Sequence, residues 1–160
     1  MPTTRPRAKR PRSSRVAVQR AAAAAPPSRR LRAYATAALG RGDVTLRVVG
    51  AAEARRLNAR FRGRDYATNV LSFPYGGDAG DVILCHPVIA REAREQGKPV
   101  IAHYAHMIVH GVLHLRGYDH LRRADAARME SREIRLLRRL GFPDPYHLPA
   151  ARAPRRRTVE

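Results

Sequence analysis

Five of the chain's seven histidines fall between His103 and His120, in the run HYAHMIVHGVLHLRGYDH. His110 and His114 are four residues apart, a spacing that puts both imidazoles on one helical face, where they can grip a single ion. A third ligand must then come from outside the helix. Gly117 permits that turn, and His120 follows three residues later. Two histidines on a helix, a glycine-enabled turn and a third histidine make a three-nitrogen site with one coordination position open. That is the pattern of catalytic rather than structural zinc. His103 and His106 share the same helical face, all four imidazoles lying within about 80° of arc. They are either groups behind the ligands, the lining of a binding groove, or simply partly buried polar residues. Asp119 either orients a ligand imidazole through its remaining N–H or caps the turn.

The same spacing, glycine included, occurs in the long zincin peptidase motif, where a glutamate after the first histidine is the general base. Here that place is Gly111. Glycine has no proton-accepting side chain, so peptide hydrolysis by that route loses its base unless Glu92, Glu95 or Asp119 substitutes. The metal site is kept without the peptidase's machinery.

The elements that must position these residues follow from local patterns. Pro99 opens a helix that runs to Leu115, with Gly117 as its stop. Leu31 to Leu39 reads as a short helix, Val44 to Val49 as an alternating strand, and Ala51 to Phe61 as a helix. Thr68 to Phe73 is β-prone and closed by Pro74. Tyr75 to Gly80 is turn chemistry and Asp81 to Cys85 a short apolar strand, so this pair suits a hairpin. Pro87 to Gln96 is helical. A final helix from about Arg123 to Leu140 has Ala127, Ile134, Leu137 and Leu140 as its expected apolar stripe. Strands and helices mix within one domain, which makes the class α/β or α+β.

Composition narrows the partners. The 160 residues include 32 Lys+Arg, 13 Asp+Glu and one Cys, for a formal charge of +19. A single cysteine rules out a disulfide scaffold and a Cys-rich zinc finger. No apolar run approaches the ~18 residues of a membrane span. Fourteen of the nineteen net charges lie in residues 1–42 and 151–160. Such basic ends attract polyanions through counterion release, so nucleic acid is the favoured partner; an anionic membrane surface comes second, and solubilising tails are the plain alternative. Residues 1–28, built of Pro, Arg and Ala, are expected to be disordered. Met1 to Arg15 has no apolar stretch behind it and is not a secretory signal, leaving the cytoplasm as default and an organellar transit peptide as the alternative.

The segment His110-Gly-Val-Leu-His-Leu-Arg-Gly-Tyr-Asp-His120 resembles the signature of the YbeY family of bacterial endoribonucleases and rRNA maturation factors. A second block agrees: Leu57 and Asn58, Phe61 to Asp65, then Thr68-Asn-Val-Leu-Ser-Phe-Pro74. Gly80 to Ile83 and Asp144-Pro-Tyr146 fit as well, so the resemblance covers roughly residues 31–148. Many members carry Asp where this chain has Asn69 and Pro where it has Ala67, and the loop from Tyr75 to Gly80 is short for the family. The resemblance implies a single domain over 29–150, between a basic N-terminal extension and a basic tail at 151–160. It implies a small mixed four-stranded sheet packed with about five helices, one of them the zinc-binding His helix. By position, His110, His114 and His120 correspond to the ligands of one Zn2+ per chain, and Arg62 to an arginine that serves RNA binding or cleavage. His103, His106 and Asp119 remain candidates for supporting contacts or RNA contacts.

The function implied is a single-strand-specific, metal-dependent endoribonuclease of the cytoplasm, acting in 16S rRNA 3′-end maturation and ribosome quality control. Its partners would be rRNA, the small ribosomal subunit and ribosomal or assembly proteins. Cleaving a phosphodiester gathers charge on the non-bridging oxygens, which a dication and a guanidinium fork both stabilise. RNA also carries its own nucleophile, the 2′-OH, so a missing protein base matters less than for a peptide. Two rivals stand beside this reading: a ribosome-assembly factor with a structural metal and little catalysis, and a metallohydrolase of another substrate.

Overall fold

The computed structural model describes residues 14–119 and 121–147. In chain order these form β1 (Arg15–Arg20), α1 (Ser28–Leu39), β2 (Asp43–Val49), α2 (Ala51–Arg62), β3 (Val70–Gly76), β4 (Ala79–Cys85), α3 (His86–Glu95), α4 (Val100–Leu115) and α5 (Arg123–Arg139). The four strands make one mixed sheet in the order β1-β2-β4-β3. β1, β2 and β4 run parallel, and β3 returns antiparallel along β4. A single α/β domain with a four-stranded mixed sheet and five helices is the class expected.

The two inner strands explain the layering. β2 and β4 are rich in Val, Leu and Ile, side chains that suit a pleated surface covered on both faces. Val44, Leu46, Val48, Val82 and Leu84 pack on one side with residues of α1, α4 and α5. Val49, Ile83 and Cys85 point the other way, to Ala54 of α2, Leu71 of β3 and Val88 of α3. The first face holds the larger core, and α4 lies at its centre.

Three sequence expectations need correction. Residues 1–28 are not disordered throughout, because Arg15–Arg20 is strand β1. Val16 and Val18 alternate there and pair in register with Val44 and Leu46; hydrogen bonds to β2 order the segment, which a composition averaged over 28 residues cannot reveal. Residues 1–13 and 148–160, basic flanks included, lie outside the described residues. Pro74 does not close β3, which continues to Gly76 with an irregularity between those two residues. Proline's missing N–H is tolerated because β3 is an edge strand. The stripe of α5 is rotated from the one expected: Met129, Glu133, Leu136 and Leu137 are buried, while Ala127 is exposed.

Candidate active site

Helix α4, VIAHYAHMIVHGVLHL, is apolar on nearly every side, and eleven of its sixteen residues are buried. Such a helix needs neighbours all round, and its histidines form the one polar stripe. Neighbouring rings stand 6.1 Å apart for His103 and His106, 6.3 Å for His106 and His110, and 4.7 Å for His110 and His114. The stripe runs from the interior, where His103 is 2% exposed and His106 9%, to a cleft of about 620 Å³ lined by His110 and His114. Arg62, Arg64, Asn69 and Ser72 also line that cleft, as does Asp119.

Gly111 sets how closely α4 approaches the sheet. A Cβ there would lie 2.7 Å from Val82 Cγ1 and 3.2 Å from Ser72 Oγ. The Ser72 hydroxyl donates to the Gly111 carbonyl across 3.0 Å. The position that carries a peptidase's glutamate therefore faces side chains of the sheet, and a larger residue there would have to displace those of Val82, Ser72 and Val70.

Arg62 reaches the cleft from the last turn of α2. Gly63 adopts φ 67° and ends the helix there, so that the Gly63 and Arg64 N–H groups return to the Ala59 and Asn58 carbonyls. Arg62 Nη2 donates to the Ser72 carbonyl at 2.8 Å, which holds the guanidinium against β3. Asn58, buried one turn earlier, donates to the Tyr66 carbonyl at 2.8 Å and fixes the loop that follows.

The sequence reading missed Glu133. This α5 carboxylate is fully buried, with Oε1 2.7 Å from His110 Nδ1 and Oε2 2.8 Å from His106 Nε2. The Tyr146 hydroxyl donates to Oε2 at 2.5 Å. Burial alone would raise the acid's pKa, but the hydrogen bonds from His106, His110 and Tyr146 outweigh it and hold the value at about 2. The carboxylate is thus charged and satisfied. A signal was present in its spacing: Met129, Glu133 and Leu136 occupy one helical face, so an acid sits in the middle of an apolar stripe.

His106, His110 and Glu133 form a group able to hold a metal ion, with ligating atoms all within 4.8 Å of one another. Their finer geometry speaks to how. Two ligands of a tetrahedral zinc sit roughly 3.3 Å apart, given bonds of about 2.0 Å. The Glu133 oxygens at 2.7 and 2.8 Å from the imidazoles are at hydrogen-bond distance. With its Nδ1 proton shared with Glu133, His110 offers Nε2 as its ligating nitrogen, the usual arrangement behind a metal-bound histidine. The donor chemistry fits a divalent ion beside His110 and His114.

Of the remaining sequence candidates, His106 joins His110 through Glu133, and His103 does not. His103 lies 3.5 Å from Glu92, at the outer limit of a hydrogen bond, and its ring nitrogens have no hydrogen-bond partner among the described residues. Burial and then the Lys98 charge push its pKa down to about 4. Asp119 lines the cleft and accepts from the Leu121 N–H at 3.2 Å. His120 lies outside the described residues.

Fold and site together define an α/β protein whose histidine–carboxylate centre opens into an arginine-walled cleft. The profile of the family described as "Endoribonuclease YbeY" matches residues 14–141. The chain belongs to the YbeY family. It is 54% identical over 145 residues to the Endoribonuclease YbeY of Aromatoleum aromaticum, covering 84% of this chain and 94% of that protein. It is 52% identical over 141 residues to that of Thiobacillus denitrificans, covering 83% and 96%. The solution structure of TM1509 from Thermotoga maritima superposes with a TM-score of 0.56 over 87% of this chain and 99% of that one, at 22% identity. At that identity the likeness speaks to the fold. No helix among the described residues is long and apolar enough to cross a membrane.

Proposed function

We propose that this protein is a zinc-dependent endoribonuclease of single-stranded RNA, working in the cytoplasm on the 3′ end of 16S rRNA and in ribosome quality control. The observation that carries the reading is the cleft in which His110 and His114 share a lining with Arg62. The names of the relatives, each an endoribonuclease, support the same substrate.

His110, His114 and His120 would hold the ion, one per chain. When bound, it supplies Lewis-acid stabilisation of the charge that gathers on phosphate oxygens during cleavage. The chain's own residues do the rest. Glu133 keeps the proton of His110 on Nδ1 and the ring in one orientation. Arg62, anchored on the Ser72 carbonyl, presents a planar fork of N–H donors to a phosphate. The 2′-OH of RNA provides a nucleophile within the substrate, so the base that Gly111 cannot supply is not required of that position. Small-subunit proteins and assembly factors are the partners this role entails.

The test is metal analysis of the purified protein beside cleavage assays on single-stranded and duplex RNA, with and without chelator. Zinc near one per chain and chelator-sensitive cleavage of the single strand are expected. Arg62→Glu is expected to keep the metal and lose most cleavage. Full activity in chelator would overturn the reading.

A further inference from the structure

Beyond the cleft, the outer side of edge strand β3 carries aromatic surface that the proposed cleavage does not use. Phe61 is 55% exposed, although Leu57, one turn earlier on α2, packs against the smaller core. Its ring meets Phe73 of β3 edge-on, centroids 5.2 Å apart and planes at 66°. The Arg60 guanidinium lies 5.2 Å from the Phe61 centroid, and that of Arg62 lies 5.8 Å from Phe73. Because Arg62 also lines the cleft, this guanidinium joins the aromatic pair to the site. Tyr66, 50% exposed, accepts a hydrogen bond from Arg64 on the same rim.

Charge says what this surface suits. Of the nearby acids, Asp65 pairs with Arg55 at 2.7 Å, and Asp81, the register partner of Phe73, accepts from the Tyr75 hydroxyl. Arg60 and Arg62 set positive charge against the two phenylalanine rings, and Arg64 does so at Tyr66. Rings interleaved with guanidiniums match an unpaired nucleic-acid strand, whose bases have flat faces to stack and whose backbone is anionic. A duplex hides those faces.

We propose that Phe61, backed by Phe73 and flanked by Arg60, is a base-stacking subsite for a nucleotide of single-stranded RNA next to the phosphate at Arg62. This rests on the RNA-cleavage reading and adds a residue-level reason for single-strand preference. Stacking of one base is worth about tenfold in affinity.

The experiment measures binding of the full chain, by fluorescence anisotropy, to three labelled 2′-O-methyl oligomers of equal length: a single strand, a duplex, and a strand whose sugars carry no bases. Phe61→Ala is expected to weaken single-strand binding about tenfold and to leave binding of the baseless strand unchanged. Phe61→Trp is expected to restore it. Phe61→Leu keeps the apolar contact with Phe73 but lacks a π face, and is expected to behave like Phe61→Ala even if the alanine variant melts early. Wild-type affinity in both Phe61→Ala and Phe61→Leu overturns the subsite, as does an equal loss on the baseless strand. If those variants keep RNA affinity but lose self-association in sedimentation, the patch is a protein interface and the proposal falls. A wild-type protein that binds no RNA oligomer overturns the subsite and the cleavage reading together. One that cleaves single strands indifferently to Phe61 overturns the subsite alone.

Discussion

The two ends of the histidine stripe on α4 are the same residue type on the same helical face, yet they sit in opposite chemical situations. At the inner end, His103 is buried beside Glu92, and burial and then the Lys98 charge push it toward its neutral form, with a pKa of about 4. At the outer end, His110 is gripped by the Glu133 carboxylate and faces a cleft. His106 stands between, touching the same carboxylate through its other oxygen. The difference comes from α5, whose Glu133 hydrogen-bonds His106 and His110, whereas Glu92 of α3 stops 3.5 Å short of His103. A helix can align imidazoles; a second element has to give them their charge partner.

The strongest way to break this contrast is to remove the acid. Glu133→Ala leaves the His106, His110 and Tyr146 donors without their acceptor in a buried site, which should cost about 3–5 kcal/mol of stability. Metal affinity should fall about 10–100-fold, because the ring of His110 loses its orientation. Denaturant titration and metal-competition measurements check the two effects separately; a variant as stable as wild type would show that the carboxylate is a spectator.

Substitutions along the stripe sharpen it. His110→Ala, His114→Ala and His120→Ala should each lose most bound metal, since three ligands leave no redundancy, whereas His103→Leu should keep it. Titration supplies an independent readout. His103 has an ordinary pKa of 6.5 and a folded value of about 4, so between those pH values the unfolded chain binds a proton the folded one refuses. Stability should therefore fall as pH drops from about 6.5 to about 4. Glu133, at about 2 against 4.5, contributes stability above about pH 4.5 that is lost only as pH falls further toward 2. His103→Leu should reduce the upper slope, to which His86, also lowered by burial, still contributes, and spare the lower, as seen in melting temperature against pH.

Gly111→Ala should cost about 1–3 kcal/mol, because the added methyl overlaps Val82 where α4 meets the sheet. Helix propensity favours alanine here by about 1 kcal/mol, so a stabilised variant would mean the sheet yields more easily than its packing implies. The smallest effect at the site should come from the flanks. Deleting 1–13 removes five Lys+Arg. The salt dependence of RNA binding should then flatten, by up to ~0.7 in slope for each phosphate that these cations would otherwise neutralise. Folding and saturated cleavage of a short oligonucleotide should not change. Extending the deletion through Arg20 takes out β1 and should destabilise the fold, which melting of the two truncations compares directly.

Much of the site's chemistry was legible in the sequence. The HxxxH spacing places His110 and His114 together because 3.6 residues make a turn, and Gly111 in the peptidase glutamate's place is visible as a missing base. Local patterns also located α1 to α5 and the hairpin of β3 and β4, where periodicity and Gly or Pro boundaries agree. β1 was hidden, since its order comes from pairing with β2 and not from its own residues. Glu133 was hidden for a related reason. One of three acids on an Arg-rich helix reads as surface charge until the helix is docked, and only docking against α4 turns it into the acceptor for two imidazoles. The same holds for Phe61, an apolar residue at a helical spacing that suggests core. The sequence determined which groups lie on which face of each element, because that is local geometry. The tertiary structure alone decided which faces meet and which remain in water, because burial and charge pairing depend on neighbours far away in the chain.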